Sequence, residues 1–481
     1  MLMRNCVLLL FVLLSLASCS VTKKINKIAM KEVVEDDALK NAHVGICIYE
    51  PATGKYLYDY QAEKYFTPAS NAKIATCYAA MKYLGDSLIG LQYGIPEEEQ
   101  WKKRAVIIQP MGDPTFLHPD FRRQPAFNYI RQKVVGENKE LGFLFTTGEL
   151  ARWGPGWSWD DYETPYMAER SMMPVFGNVI TVRLRDHDRV SLFDSIAGQT
   201  LNYPFATGHR YFDSLLNSTL LTSDGYEVKL KPSAWSLHRS MDDNDFSVKD
   251  APGSSRFQTI PFVTNNGFTA FHIIADSLHA NFAIVSRSAG KELYSWTGAN
   301  NRALAVTIKT WMPVYSQPTD SLLKPMMHRS DNFFAEQALL MVSQRRFNRM
   351  SDTMIINHLL ATDLRDLPQR PTWADGSGLS RYNQFTPKDL VIILNKMEKE
   401  FGMKRLQEIF PTGGEGTLGN YYRGMSNRIF AKTGTLSGVI ALSGYLYGRD
   451  NKLLIFSVLI NNHQASDAEV RRAVERFLSK L

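Results

Sequence analysis

The chain is poor in the residues that build metal or disulfide frameworks. It has only four cysteines in 481 residues. Cys6 sits in an apolar leader and Cys19 at its end, which leaves Cys47 and Cys77. Cys47 stands in a strand-like run and Cys77 in a helix-like one, so both read as small buried core residues; spacing alone does not argue a bridge between them. The ten histidines never fall at metal-ligand spacing, and His-Glu-x-x-His is absent, so no metal is expected and no cofactor is implied. There is no dense basic stripe: the 55 Lys and Arg are interspersed with 48 Asp and Glu, and the net charge of +7 reads as a solvated surface beside an anionic neighbourhood, with no case for nucleic acid. Low-complexity segments, internal repeats and a membrane-length apolar run are also missing. The one long apolar stretch, Val7 to Leu16, is too short to span and follows a single Arg4. It reads as an export leader over 1–18. Its end, Leu16-Ala17-Ser18-Cys19, looks like a bacterial lipobox that leaves Cys19 lipidated as the first residue. The alternative is an ordinary leader cut nearby, with Cys19 incidental.

Three short strings carry chemistry: Ser70-Asn-Ala-Lys73, Ser330-Asp-Asn332 and Lys432-Thr-Gly434. Ser-x-x-Lys alone is weak, because it also occurs at Ser20, Ser288 and Ser321. Ser20 lies beside the leader, Ser288 is followed by Gly290, and Ser321 runs into Pro325. Only Ser70 opens an apolar-periodic run, 74–84, closed by Gly85. A Ser and a Lys at i and i+3 share a helix face, which brings the hydroxyl to an amine able to take its proton. Ser-x-Asn and Lys-Thr-Gly each occur once.

The order and types suggest a serine acyl-transfer site. Ser70 is the candidate nucleophile and Lys73 its base. Lys432, with the hydroxyls of Thr433 and Thr435, would hold a substrate carboxylate. Gly434 would let the strand approach substrate without a side chain in the way. The backbone N–H groups of Ser70 and Thr435 form the natural oxyanion pair. Ser330 would pass a proton to the leaving amine, and Asn332 would hold Lys73 and the substrate amide. Asn332 also precedes an apolar run as a helix cap would, and both readings can hold at once.

Alternation and turn signals predict strands over 43–50 and 55–60 near one end of the chain and over 428–435, 439–447 and 453–460 near the other. A helix is expected over about 24–42, and a capping box at Ser466 opens a last one to Leu481. This predicts an α+β fold: one five-stranded antiparallel sheet built from both ends, with helices on both faces. Ser70 and Ser330 stand 260 positions apart, far more than a compact return requires. The excess, placed at 90–305, reads as a strand-rich insert, with strands expected at 104–109, 179–184, 226–230, 271–275 and 282–285. The interrupted domain would then be 19–89 plus 306–481.

With the strings Gly112-Asp-Pro114, Trp373 to Asn383 and Gly413 to Leu418, the chain resembles the penicillin-binding protein 4 type of D-alanyl-D-alanine carboxypeptidase/endopeptidase, peptidase family S13. The resemblance implies a transpeptidase/β-lactamase-like domain interrupted by the insert. It also implies hydrolysis of peptidoglycan stem peptides through an acyl-serine, β-lactams as acylating inhibitors, and a periplasmic place in the bacterial envelope, here on a membrane anchor at Cys19. Gly156 to Tyr162 resembles the family segment whose acidic group meets a diaminopimelate ammonium. Asp161 is the candidate and Asp160 the second choice; the plainer reading is a surface turn with aromatic packing. A β-lactamase is the main rival, but the Glu-x-x-Leu-Asn string of its class A is missing after Ser330. A non-enzymatic, wall-binding lipoprotein is the other rival.

Overall fold

The computed structural model describes residues 22–145, 150–184, 190–193, 235–250, 257–287, 293–297 and 303–481. The leader, Cys19 and the strand expected at 226–230 lie outside them. The chain forms two units, one drawn from Met1–Ala79, Leu323–Asp331 and Ile356–Leu481, the other from Ala80–Leu322 and Asn332–Ile355.

The first unit is built on the expected five-stranded antiparallel sheet, in the order Ile429–Leu436, Val439–Tyr447, Leu453–Asn461, His43–Glu50, Lys55–Tyr60. The two chain ends meet in register, with His43 opposite Asn461 and Cys47 opposite Ser457. Alternation sorts the side chains to two faces. Val44, Ile46, Leu442, Val458 and Ile460 pack against Ile25, Ala29 and Val33 of the first helix and Val470, Val474 and Phe477 of the last. The last helix, Asp467–Ser479, starts at the expected capping box, with Ser466 Oγ accepting from Glu469 N. On the opposite face, Tyr445 Oη donates to the Leu394 carbonyl of helix Pro387–Phe401 at 2.8 Å. A Cβ on Gly45 would lie 2.5 Å from the Phe66 ring and 2.9 Å from Pro387, so this position needs glycine for close packing. Cys47 and Cys77 are buried thiols, and burial pushes the Cys47 thiol up.

The second unit carries a seven-stranded sheet in the order Ala303–Thr307, Leu293–Thr297, Phe282–Arg287, Glu140–Phe145, Ala105–Pro110, Ser87–Gly94, Trp311–Pro318. Its three central strands run parallel. The strands expected at 104–109, 179–184 and 282–285 are present. The one expected at 271–275 is instead the middle of a helix, Phe268–Ser277. Ala270, Phe271, Ile273 and Ile274 are all buried, so the helix is apolar over most of its circumference and a five-residue window cannot distinguish it from a buried strand.

Residues 332–355 are held in this unit by buried polar contacts. Arg170 meets Asp352 at 2.5 Å and Glu336 at 3.7 Å, and Gln337 Nε2 donates to the carbonyls of Gly112 and Ser171 at 2.8 and 2.9 Å. Glu169, wholly buried, accepts from Thr264 N at 2.9 Å and faces Arg239 at 3.5 Å. Such pairs cost desolvation unless every partner is in place, so they select one arrangement of the loops they join.

Candidate active site

Four of the chemistry-bearing side chains come together in the first unit. Pro68 leads into a single 3-10 turn, Ala69–Ala72, that passes directly into helix Lys73–Tyr83. Ser70 stands in that turn, half-buried, and Lys73 opens the α-helix. The i, i+3 spacing brings Lys73 Nζ within 3.1 Å of Ser70 Oγ. Lys73 is completely buried and also donates to the Ser377 carbonyl at 2.7 Å. The Lys73 amine is thus fixed by the backbone on one side and points at the hydroxyl on the other.

The Ser70 turn is clamped from two directions. Asn71 Nδ2 donates to the Lys432 carbonyl at 3.0 Å, and Thr76 Oγ1 to the Gly376 carbonyl at 2.7 Å. A Cβ on Gly434 would meet the Pro68 carbonyl at 2.7 Å and Asn71 Nδ2 at 3.0 Å. The room that Gly434 makes is therefore used to seat the strand against the Ser70 turn, not only for the substrate approach expected from the sequence. Gly378, at φ 81°, would put a Cβ 1.9 Å from the Ala69 carbonyl oxygen. Its loop is locked by Asp375, which accepts from Gly378 N at 2.7 Å, Ser380 N at 2.6 Å and Asn383 Nδ2 at 2.8 Å.

Ser330 follows helix Thr319–His328 at φ 61°, and Ala69 stands at φ 47°. Left-handed backbone on non-glycine residues stores strain, and here it flanks both hydroxyls of interest. Lys432, fully buried in strand Ile429–Leu436, donates to Ser330 Oγ at 2.8 Å and to the Thr433 carbonyl at 2.7 Å. Burial pushes its ammonium well below the ordinary lysine range, and the charges of Lys73 and Arg471 push the same way.

Thr433 and Thr435 share a strand face by the period of two. Thr433 Oγ1 donates to Thr417 Oγ1 at 2.8 Å. Thr435 is exposed, and its Oγ1 accepts from Arg471 at 2.5 Å. Arg471 comes from the last helix and was not singled out in the sequence. It occupies an ordinary solvent-facing slot of an amphipathic helix, and only the fold brings it to the Lys432 strand. Asn71, Thr76 and Ser377 were passed over for the same reason: their partners lie 300 or more positions away.

Asn332 and Asp161 lie in the second unit. Asn332 opens helix Asn332–Phe347, and its Nδ2 donates to the Tyr166 carbonyl at 3.0 Å. Asp161 closes the short turn Trp159–Asp161. The Tyr166 phenol is pushed up by burial and by the neighbouring Asp161 carboxylate. Asp160 is exposed and accepts from Ser158 Oγ at 2.5 Å. Among the described residues no group of three or more His, Cys, Asp and Glu side chains could hold a metal ion.

The family model described as the D-Ala-D-Ala carboxypeptidase 3 (S13) family matches residues 26–203 and 289–481. A D-alanyl-D-alanine carboxypeptidase of Actinomadura sp. is 25% identical over 461 residues, covering 90% of this chain and 80% of its own. The carboxypeptidase DacB of Haemophilus influenzae is 31% identical over 164 residues, covering 32% of this chain and 34% of its own. The crystal structure of penicillin-binding protein 4 from Haemophilus influenzae superposes with a TM-score of 0.66 at 18% identity, covering 95% of this chain and 97% of that one.

Proposed function

The chain belongs to the D-Ala-D-Ala carboxypeptidase 3 (S13) family, and on that premise we propose that it is a serine DD-peptidase of peptidoglycan. The observation that carries this reading is Ser70 Oγ within 3.1 Å of the buried Lys73 Nζ. Lys73 takes the hydroxyl proton as Ser70 Oγ attacks the carbonyl of the penultimate D-Ala. The tetrahedral oxyanion is held by the backbone N–H groups of Ser70 and Thr435. The proton taken by Lys73 passes through Ser330, which Lys432 holds at 2.8 Å, to the departing amine as the C–N bond breaks to leave acyl-Ser70. Water then cleaves the ester, which returns the proton to Ser70. The leaving group is a terminal D-Ala in carboxypeptidase action or a diaminopimelate amine in crosslink cleavage. A β-lactam acylates Ser70 in the same way, but its amine stays tethered to the acyl group, so the adduct persists.

Thr433, Thr435 and Lys432 are assigned to the substrate carboxylate, with Asn332 on the substrate amide. Asp161 is assigned to a diaminopimelate ammonium. This is supported by the place of its carboxylate near the Tyr166 phenol, a residue whose carbonyl also receives Asn332. Asp161→Asn should weaken cleavage of diaminopimelate peptides and spare ones that lack that ammonium; equal loss on both would remove Asp161 from the role. We place the protein in the bacterial envelope, anchored through lipidated Cys19. The residues described contain no helix long and apolar enough to cross a membrane.

Incubation with a fluorescent penicillin tests the central claim. Stable covalent labelling, abolished in Ser70→Ala, is expected. Wild-type protein that stays unlabelled would sink the reading, and rapid turnover of the drug without an adduct would make it a β-lactamase.

A further inference from the structure

The second unit contains a cavity of about 610 Å³ that the acyl-transfer reading does not use. Its place in the fold is informative. Gln109, Phe145 and Arg287 lie at the carboxyl ends of the three parallel strands and line it together. The crevice outside the carboxyl ends of parallel strands is the usual ligand position in open sheets. The last turn of helix Asn332–Phe347 and the residues after it close the other side, held to the sheet by Gln109 Nε2 donating to Asn348 Oδ1 at 2.9 Å.

The lining has a definite chemistry. Arg287, Arg345 and Arg349 contribute three guanidinium groups, and no carboxylate is among the lining residues described. Gln344 also lines the cavity. It is only 2% exposed, and its Oε1 has no hydrogen-bond partner among the described residues, although its Nε2 donates to Asn348 Oδ1 at 3.0 Å. Trp311 and Tyr294, joined by Trp311 Nε1 donating to Tyr294 Oη at 3.2 Å, add aromatic surface. Three planar cations and two aromatics suit a ligand with carboxylates and a sugar or aliphatic face.

We propose that this cavity is a wall-binding site for a carboxylate-bearing glycopeptide segment of peptidoglycan. Arg345 and Arg349 take its carboxylates, and Trp311 lies along its apolar face. The choice of ligand class rests on the DD-peptidase reading; the site itself rests on the cavity.

The test is co-sedimentation of the full chain with purified, insoluble peptidoglycan in saturating penicillin, so that Ser70 is occupied. Wild-type protein should pellet, and should stay in solution when the peptidoglycan carboxylates have been amidated. The double variant Arg345→Glu/Arg349→Glu should bind at least about tenfold more weakly while labelling with fluorescent penicillin at the wild-type rate. If the double variant fails to label, Arg287→Glu takes its place under the same readouts. Equal pelleting of wild type on native and amidated peptidoglycan, or of wild type and variant, overturns the proposal, as does wild-type protein that never pellets. Loss of penicillin labelling in wild type would instead strike the DD-peptidase reading, so the two failures are distinguishable.

Discussion

Lys432 Nζ donates to Ser330 Oγ across 2.8 Å, and this contact joins two motifs that stand 102 positions apart in the chain. Lys432 is fully buried, and burial first, then the charges of Lys73 and Arg471, hold its ammonium well below 10.5. The direction fixes a pH dependence. Below the lowered value Lys432 is charged and can hold a carboxylate; as pH rises through it, that charge is lost sooner than on an ordinary lysine. The folded state also binds fewer protons than the unfolded one between the lowered value and 10.5, so this group adds stability as pH rises through that window and withholds it below. The rate of acylation by a carboxylated β-lactam should therefore fall on an alkaline limb below 10.5. Lys432→Arg should move the limb upward, because a guanidinium stays charged. Stopped-flow acylation across pH checks both; an unmoved limb in Lys432→Arg assigns the titration elsewhere.

Gly378 and Gly402 share a positive φ, at 81° and 75°, but not the same surroundings. Nothing lies within 4 Å of a Cβ built on Gly402, whereas one on Gly378 would sit 1.9 Å from the Ala69 carbonyl, beside Ser70. Gly402→Ala should cost only the backbone penalty, about 1–3 kcal/mol, and leave penicillin labelling intact. Gly378→Ala should cost roughly 3–5 kcal/mol and slow labelling, since the Ser70 turn has to move. Thermal melts paired with labelling rates separate the two. Equal effects would mean that contact with Ala69 does not position Ser70.

The five-stranded sheet was legible because each strand carries a clear alternation and ends at a turn, and Ser70 because one of four Ser-x-x-Lys strings opens a helix. The helix Phe268–Ser277 was misread because its burial on nearly all sides erases the 3.6-residue rhythm. The partition of residues 332–355 into the second unit depends on Arg170, Gln337 and Asp352, whose pairings span some 160 to 230 positions and leave no local pattern. Gly434 was found by its motif, but the neighbours it accommodates, Pro68 and Asn71, come from the other end of the chain.

Cys19 offers a test independent of the active site. Lipidation at this position predicts that the protein fractionates with membranes and that Cys19→Ser releases it while penicillin labelling stays the same. Fractionation followed by immunoblotting reads the outcome. A Cys19→Ser protein that remains in the membrane pellet removes the anchor.

Arg471 meets Thr435 Oγ1 at 2.5 Å on the strand face that also carries Thr433. Thr435 is exposed while Thr433 is largely buried, so a carboxylate docking on these hydroxyls would reach the Thr435 end first and find the guanidinium there. A charge-assisted hydrogen bond of this kind contributes about 1.5–3 kcal/mol, some ten- to hundredfold in affinity. Arg471→Ala should therefore raise KM for D-Ala-D-Ala peptides by about that factor with kcat little changed, because the ground state and the transition state carry the same carboxylate. Arg471→Lys should recover part of the loss, since it restores the charge without the planar fork. A substrate whose terminal carboxylate is amidated should be indifferent to both changes. A fall in kcat with KM unchanged would instead place Arg471 in the support of Lys432, through the charge it exerts on that buried ammonium.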